Sequence, residues 1–228
     1  MCGRFSLSTP LTDIAAMVES EPLSDVTPFE PSWNIGPRRW VPVISQTGPD
    51  SEPNVPRHLR LMQWGFRPSW AKPSNREPIN ARVETVQEKP MFRASFERRR
   101  CVVPANGWYE WMTTPNGKVP FFHQQRNGDV SYMAAVWDGS YAEEGNVETF
   151  ALLTTEANED CRDVHHRMPV LMTLSELEPW LANGALPQPL HPGTIDRYPV
   201  SREVNRTETD HAGLVLPLKT LFNHEYGA

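Results

Sequence analysis

Apolar and polar residues alternate along much of this chain in short runs, and most of these runs read as strands: "WVPVIS", "HLRLMQW", "RCVVP", "GWYEWM", "VPFFHQ", "VSYMAAVW", "TFALLTT" and "MPVLM". Helical spacing takes over at Leu11, Ile14, Ala15 and Val18, where Thr9 stands ready to cap and Pro10 suits the first turn. Two further helices are predicted, one near "PMFRASFERR" and one over "SELEPWLANG". The second has Ser175 and Glu178 at capping-box spacing and Gly184 after its end. A Pro-rich stretch from Pro22 to Pro37, containing "PSWNIGP", reads as loop. This pattern predicts an α+β fold: one domain over residues 1–228, with a mainly antiparallel curved sheet or partial barrel and a few flanking helices.

Length and composition narrow the picture. A chain of 228 residues with 39% hydrophobic content suits one substantial core. No apolar run approaches the roughly 20 residues of a membrane span, and the first residues lack the pattern of a secretion signal. Cys2, Cys101 and Cys161 form an odd, widely spaced set that suggests neither a disulfide framework nor a zinc cluster, which points to a reducing, intracellular setting. The net charge of −6 hides a segregation. Between Arg57 and Arg100 stand eleven Lys/Arg against four Glu, a local +7 that leaves −13 elsewhere. Interleaved with Trp64, Phe66, Trp70, Phe92 and Phe96, this segment reads either as a groove for single-stranded nucleic acid, with rings such as Trp70 stacking on bases, or as a solvated basic face above core aromatics.

Four stretches carry candidate chemistry. In "MCGRF", loss of Met1 would leave Cys2 with a free amine beside its thiol, a 1,2-aminothiol with its own aldehyde chemistry. A buried structural cysteine is the plainer alternative. In "NGWYEWM", a strand places Trp108, Glu110 and Met112 on one face and Tyr109 and Trp111 on the other. Glu110 then has apolar neighbours whichever face is buried, so its pKa should rise toward neutrality unless the strand lies at an edge in water. In "RDVHHRMPVLM", His165 and His166 would diverge if the chain were extended. One of them is then an acid/base candidate, with Arg167 available for a phosphate. In "PINARVETV", Asn80, Arg82 and Glu84 alternate toward one side, so that Asn80 either orients a reacting group beside a phosphate-gripping Arg82 or bonds a neighbouring turn.

In order along the chain, "MCGRF", "WNIGP", "WGFRPSW", "INARVET", "RRRCVVPANGWYEW", "VHHRMPV" and "YPVSREVN" resemble the SOS response-associated peptidase (SRAP) family, over residues 2 to about 217. The resemblance implies a single-domain protein, expected to be a cytoplasmic, nucleoid-associated monomer. It implies recognition of abasic sites in single-stranded DNA and covalent attachment to them through the N-terminal cysteine. The positions matching the family's active site are Cys2, Asn80, Glu110 and His165, and those facing phosphates are Arg4, Arg82 and Arg167. His166 departs from the family pattern, which usually has Asp or Asn there.

The residues agree chemically. An α-amine has a pKa of about 7.7–8.0 against roughly 10.4 for lysine, so Cys2 is the favoured nucleophile toward an abasic aldehyde. Its thiol can close a thiazolidine, with Glu110 and His165 moving protons and no metal or cofactor required. Abasic-strand cleavage and self-processing of Met1 are possible accompanying activities. Two rival readings stay open: an N-terminal-nucleophile peptidase, and a reader of modified bases that forms no covalent bond.

Overall fold

The computed structural model describes residues 2–22, 29–46, 56–72, 74, 77–142 and 145–218. Two sheets are built from these residues. The first contains β1 (Phe5–Leu7), β3 (Ser32–Ile35), β8 (Gly107–Thr114), β9 (Gly117–Gln125) and β14 (Ile195–Pro199). Its order is β14-β9-β8-β1-β3, and every pairing is antiparallel. The second contains β2 (Glu21–Pro22), β4 (Trp40–Ser45), β5 (His58–Trp64), β7 (Arg100–Ala105), β10 (Ser131–Ala142), β11 (Gly145–Glu156) and β12 (Arg167–Pro169). To these are added β6 (Asn80–Arg82), parallel on β11, and β13 (Leu171–Met172) on β10. The second sheet curls until β5 meets β11 through a short parallel pairing. No helix among the described residues is long and apolar enough to cross a membrane.

The expected α+β architecture is present, and the antiparallel hairpin β10–β11 forms its spine. Residues 131–138 of β10 are buried on both faces, which is why "SYMAAVW" lacks strict alternation. Helices α1 (Leu11–Met17), α2 (Pro90–Arg98) and α3 (Leu177–Asn183) pack at the margins. Phe92 and Phe96 of α2 turn inward, and Phe96 meets Trp180 of α3 edge-on at 5.7 Å. Arg100 closes α3 by donating to the Trp180, Leu181 and Ala182 carbonyls at its C-terminal end. Gly184 follows in the left-handed conformation, φ 71°, as its position predicted.

Several local expectations are corrected. Thr9 does not cap α1; its hydroxyl accepts from Asn106 Nδ2 at 2.9 Å, and the helix begins without a side-chain cap. The capping box before α3 is Thr173 with Glu176, opening a short 3₁₀ turn, while Glu178 pairs with Arg57. The stretch 22–37 contains strand β3, whose partner β1 lies about thirty residues earlier in the chain. β1 and β14 likewise have no strong alternating signature.

Glycine is required at position 107 by close approach. A Cβ there would collide with the His123 carbonyl oxygen and the Phe122 ring on the neighbouring strand. Gly107→Ala is therefore expected to destabilise the fold by about 3 kcal/mol or more, because backbone on a paired strand cannot step aside. Denaturant unfolding of the variant measures this; a loss below about 1 kcal/mol would mean the strands can separate at that point.

Candidate active site at the amino terminus

Strand β8 lies between two layers of core. Trp108 packs in the main interior, whereas Tyr109 joins Phe122, Val200, Val204 and Leu214 in a smaller cluster beneath the segment that follows β14. Both faces being covered, Glu110 is only 3% exposed. Burial pushes its carboxyl up to about 7, against the opposing pull of the positive amino terminus.

Pairing of β1 with β8 brings the start of the chain to this carboxylate. Phe5 stands opposite Trp108, and the Tyr109 N–H donates to the Arg4 carbonyl at 2.9 Å. Cys2 is fully buried, its Sγ directed at the Arg4 carbonyl at 3.9 Å. Burial, followed by the negative charge of Glu110, holds the Cys2 thiol far above its ordinary range. The second sheet supplies Asn80: the parallel pairing of β6 on β11 positions it to donate from Nδ2 to the Cys2 carbonyl at 2.8 Å. The Asn80 Oδ1 is buried without a partner among the described residues, leaving an acceptor in the site.

His165 ends a turn over residues 161–164, just before β12. The Arg167 N–H donates to its Nδ1 at 3.0 Å. Burial lowers its pKa, the positive amino terminus adds to this, and the charges of His166 and Lys118 act in the same direction. The two histidine rings do not diverge as an extended chain would require. They stack with centroids 4.4 Å apart, because the turn rather than a strand sets their direction.

Cys2 and Asn80 are thus in direct contact, while Glu110 and His165 both feel the charge of the amino terminus. The positions expected to face phosphates differ among themselves. Arg82 is exposed, and Trp70 is the one aromatic of its segment that is, at 70%. Trp64, Phe66, Phe92 and Phe96 are core residues, which removes the stacking groove the sequence suggested. Arg4 is buried, donating to Asn34 Oδ1 at 2.6 Å and to the Val204 carbonyl at 2.9 Å. Arg167 is also buried and binds Glu84 through Nη1 and Nη2. Elsewhere in the basic segment, Arg57, Arg60, Arg67 and Arg99 are paired with Glu178, Glu148, Glu77 and Asp138, and Arg100 is spent on helix carbonyls.

Residues 1–207 match the family model described as SOS response associated peptidase (SRAP). The chain belongs to the SRAP family. It is 30% identical over 227 residues to the abasic site processing protein YoqW of Bacillus subtilis, covering 94% of this chain and 99% of that protein. It is 28% identical over 236 residues to the abasic site processing protein YedK of Escherichia coli, covering 96% of this chain and all of the other. Among solved structures, a protein from Bacteroides thetaiotaomicron matches with a TM-score of 0.79 at 22% identity, covering 95% of this chain and 99% of that one, and so shares the SRAP fold.

Within this SRAP chain, sequence reasoning passed over two asparagines that hold the site's surroundings. Asn34, inside the quoted "WNIGP", accepts from Arg4 and donates to the Arg206 and Thr209 carbonyls, tying the C-terminal segment to β3. Asn106 accepts from the Ser8 and Thr9 N–H groups and so fixes the exit of β1. Their signal was the motif itself, since a polar residue inside an apolar run must find a partner when buried.

Proposed function

We propose that this SRAP protein captures abasic sites in single-stranded DNA through the amine and thiol of Cys2, exposed by removal of Met1. The observation that carries the reading is the meeting at Cys2 of an Asn80 clamp and a buried carboxyl poised near neutral pH. The α-amine adds to the C1′ aldehyde of the open sugar, and loss of one water gives an imine. The thiol sulfur then adds to the imine carbon, the S–H proton passes to the nitrogen, and a five-membered thiazolidine results. With both nucleophiles on one residue the second step is intramolecular, where effective molarities reach about 10⁵ M or more.

The buried thiol holds its proton at neutral pH, so ring closure needs a base at the moment of attack. Glu110 suits that role, and its protonated form can assist departure of water in the step before. His165 is kept neutral and serves the sugar oxygens, while the open acceptor of Asn80 orients the amine. Exposed Arg82 and Trp70 are the candidate contacts to phosphate and base. A thiol raised by burial is a poor resting nucleophile for a cysteine peptidase, which works through a thiolate.

Intact-mass spectrometry with an abasic oligonucleotide tests the reading in one measurement. The expected product is the chain lacking Met1 joined to one oligonucleotide with loss of one water. Adducts on chains that retain Met1, or none at all, would remove the aminothiol from the reaction.

A further inference from the structure

His165 and His166 stand immediately before β12 with their backbones pinned on either side. The His165 N–H donates to the Cys161 carbonyl at 3.1 Å, and the His166 carbonyl accepts from the Ala157 N–H at 3.0 Å. A pinned backbone leaves the χ angles of each ring to be set by what the ring touches. The Arg167 N–H points at His165 Nδ1 from 3.0 Å, and the His166 ring lies against the His165 face, with centroids 4.4 Å apart and planes at 26°. Because a peptide proton points at Nδ1, the neutral His165 ring carries its own proton on Nε2. The Arg167 carbonyl, 3.1 Å from Nδ1, takes a bond only from a ring protonated there.

We infer that His166 is a positioning residue of the capture reaction: its ring, stacked on His165, holds that imidazole in the plane where Nδ1 accepts and Nε2–H is offered to an oxygen of the abasic sugar. The inference rests on the capture reading above. A stacked ring resists rotation about χ2, which a hydrogen bond at one ring nitrogen does not. The stack also limits how many protons the pair can hold. Two unit charges 4.4 Å apart repel even in water by enough to move a pKa about half a unit, so a proton on His166 disfavours one on His165. The amino terminus and Lys118 push in the same direction, with burial as the largest cause, and the neutral ring is favoured. Were His166 only a surface residue, loss of its ring would change nothing at His165. Were it a contact to DNA, the loss would fall on affinity.

Two substitutions separate these roles. His166→Phe keeps a stacking ring without a charge, and His166→Ala removes the ring. Long-range proton–nitrogen NMR of the full chain reads the tautomer and titration midpoint of His165, assigned through His165→Gln. The rate of adduct formation is measured at saturating abasic oligonucleotide, and the Kd with an oligonucleotide carrying the unreactive tetrahydrofuran analogue. For wild type we expect the Nε2–H tautomer at neutral pH. For His166→Ala we expect mixed tautomers, a midpoint about half a unit higher and a limiting rate about fivefold lower, with Kd within twofold of wild type. In His166→Phe the midpoint should rise alike, while the tautomer and at least half of the rate return. A wild-type tautomer and rate in His166→Ala would overturn the inference, as would equal losses in both variants or a loss confined to Kd. No adduct from wild type would overturn the capture reading and this role with it, whereas a normal wild-type adduct beside unchanged variants removes the role alone.

Discussion

Cys2→Ser is expected to lower the yield of heat-stable DNA adduct at least a hundredfold while leaving the first chemical step in place. The serine amine still forms the imine, but a hydroxyl is a much poorer nucleophile toward it, so the ring does not close and water reverses the reaction. Borohydride should trap the imine that wild type conceals by closing its ring. An unclosed imine also acidifies the adjacent sugar hydrogens and so opens a route to elimination of the 3′ phosphate, giving nicked strands. Acylating the amine of wild type removes both steps and should abolish trapping as well. Denaturing gels with and without reductant decide the matter. A heat-stable link from Cys2→Ser equal to that of wild type would show the thiol to be dispensable.

Glu110→Gln is expected to have two large effects of opposite sign. Capture should slow by roughly a hundredfold, within the range typical for loss of a positioned acid/base group, because the amide keeps the shape but moves no proton. Wild-type rate should fall as pH drops through about 7, where Glu110 loses its base form, and this inflection should vanish in the variant, leaving that of the α-amine. Stability should move the other way. The folded value near 7 lies above the unfolded value, so the unfolded chain ionises first and the native state loses stability as pH rises. That stability is fully present below about 4.5 and gone above about 7, and a shift of this size corresponds to about 3 kcal/mol. Glutamine escapes the loss, so the variant should be the more stable protein at pH 8 and close to wild type at pH 4.5. Parallel pH–stability curves would indicate that Glu110 is not desolvated in solution.

How much of this was legible in the sequence depended on whether the signal was local. The alternating runs located the main strands, since a period of two reports which residues share a face. The desolvation of Glu110 followed from a single strand, because Trp108 and Tyr109 make both faces apolar. β1, β3 and β14 were not legible. Their short runs become strands only because β8, β1 and β9 offer open edges. Charge was the least legible property. A run of arginines reads as surface until each finds its partner, and the partners lie far along the chain, as with Arg167 and Glu84 at a separation of 83 residues.

What the sequence determined by itself was the candidate chemistry and its setting: a cysteine at position 2, a carboxyl between apolar neighbours, and an antiparallel-rich α+β chain. The tertiary structure decided the pairings: Asn80 on the Cys2 carbonyl, the stacked histidines, the inward turn of four of the five segment aromatics, and the enclosure of Arg4 and Arg167. The physical reason is that side-chain periodicity is set by backbone geometry over a few residues. Which buried donor meets which acceptor is settled only when distant strands register against one another and desolvated polar groups compete for partners.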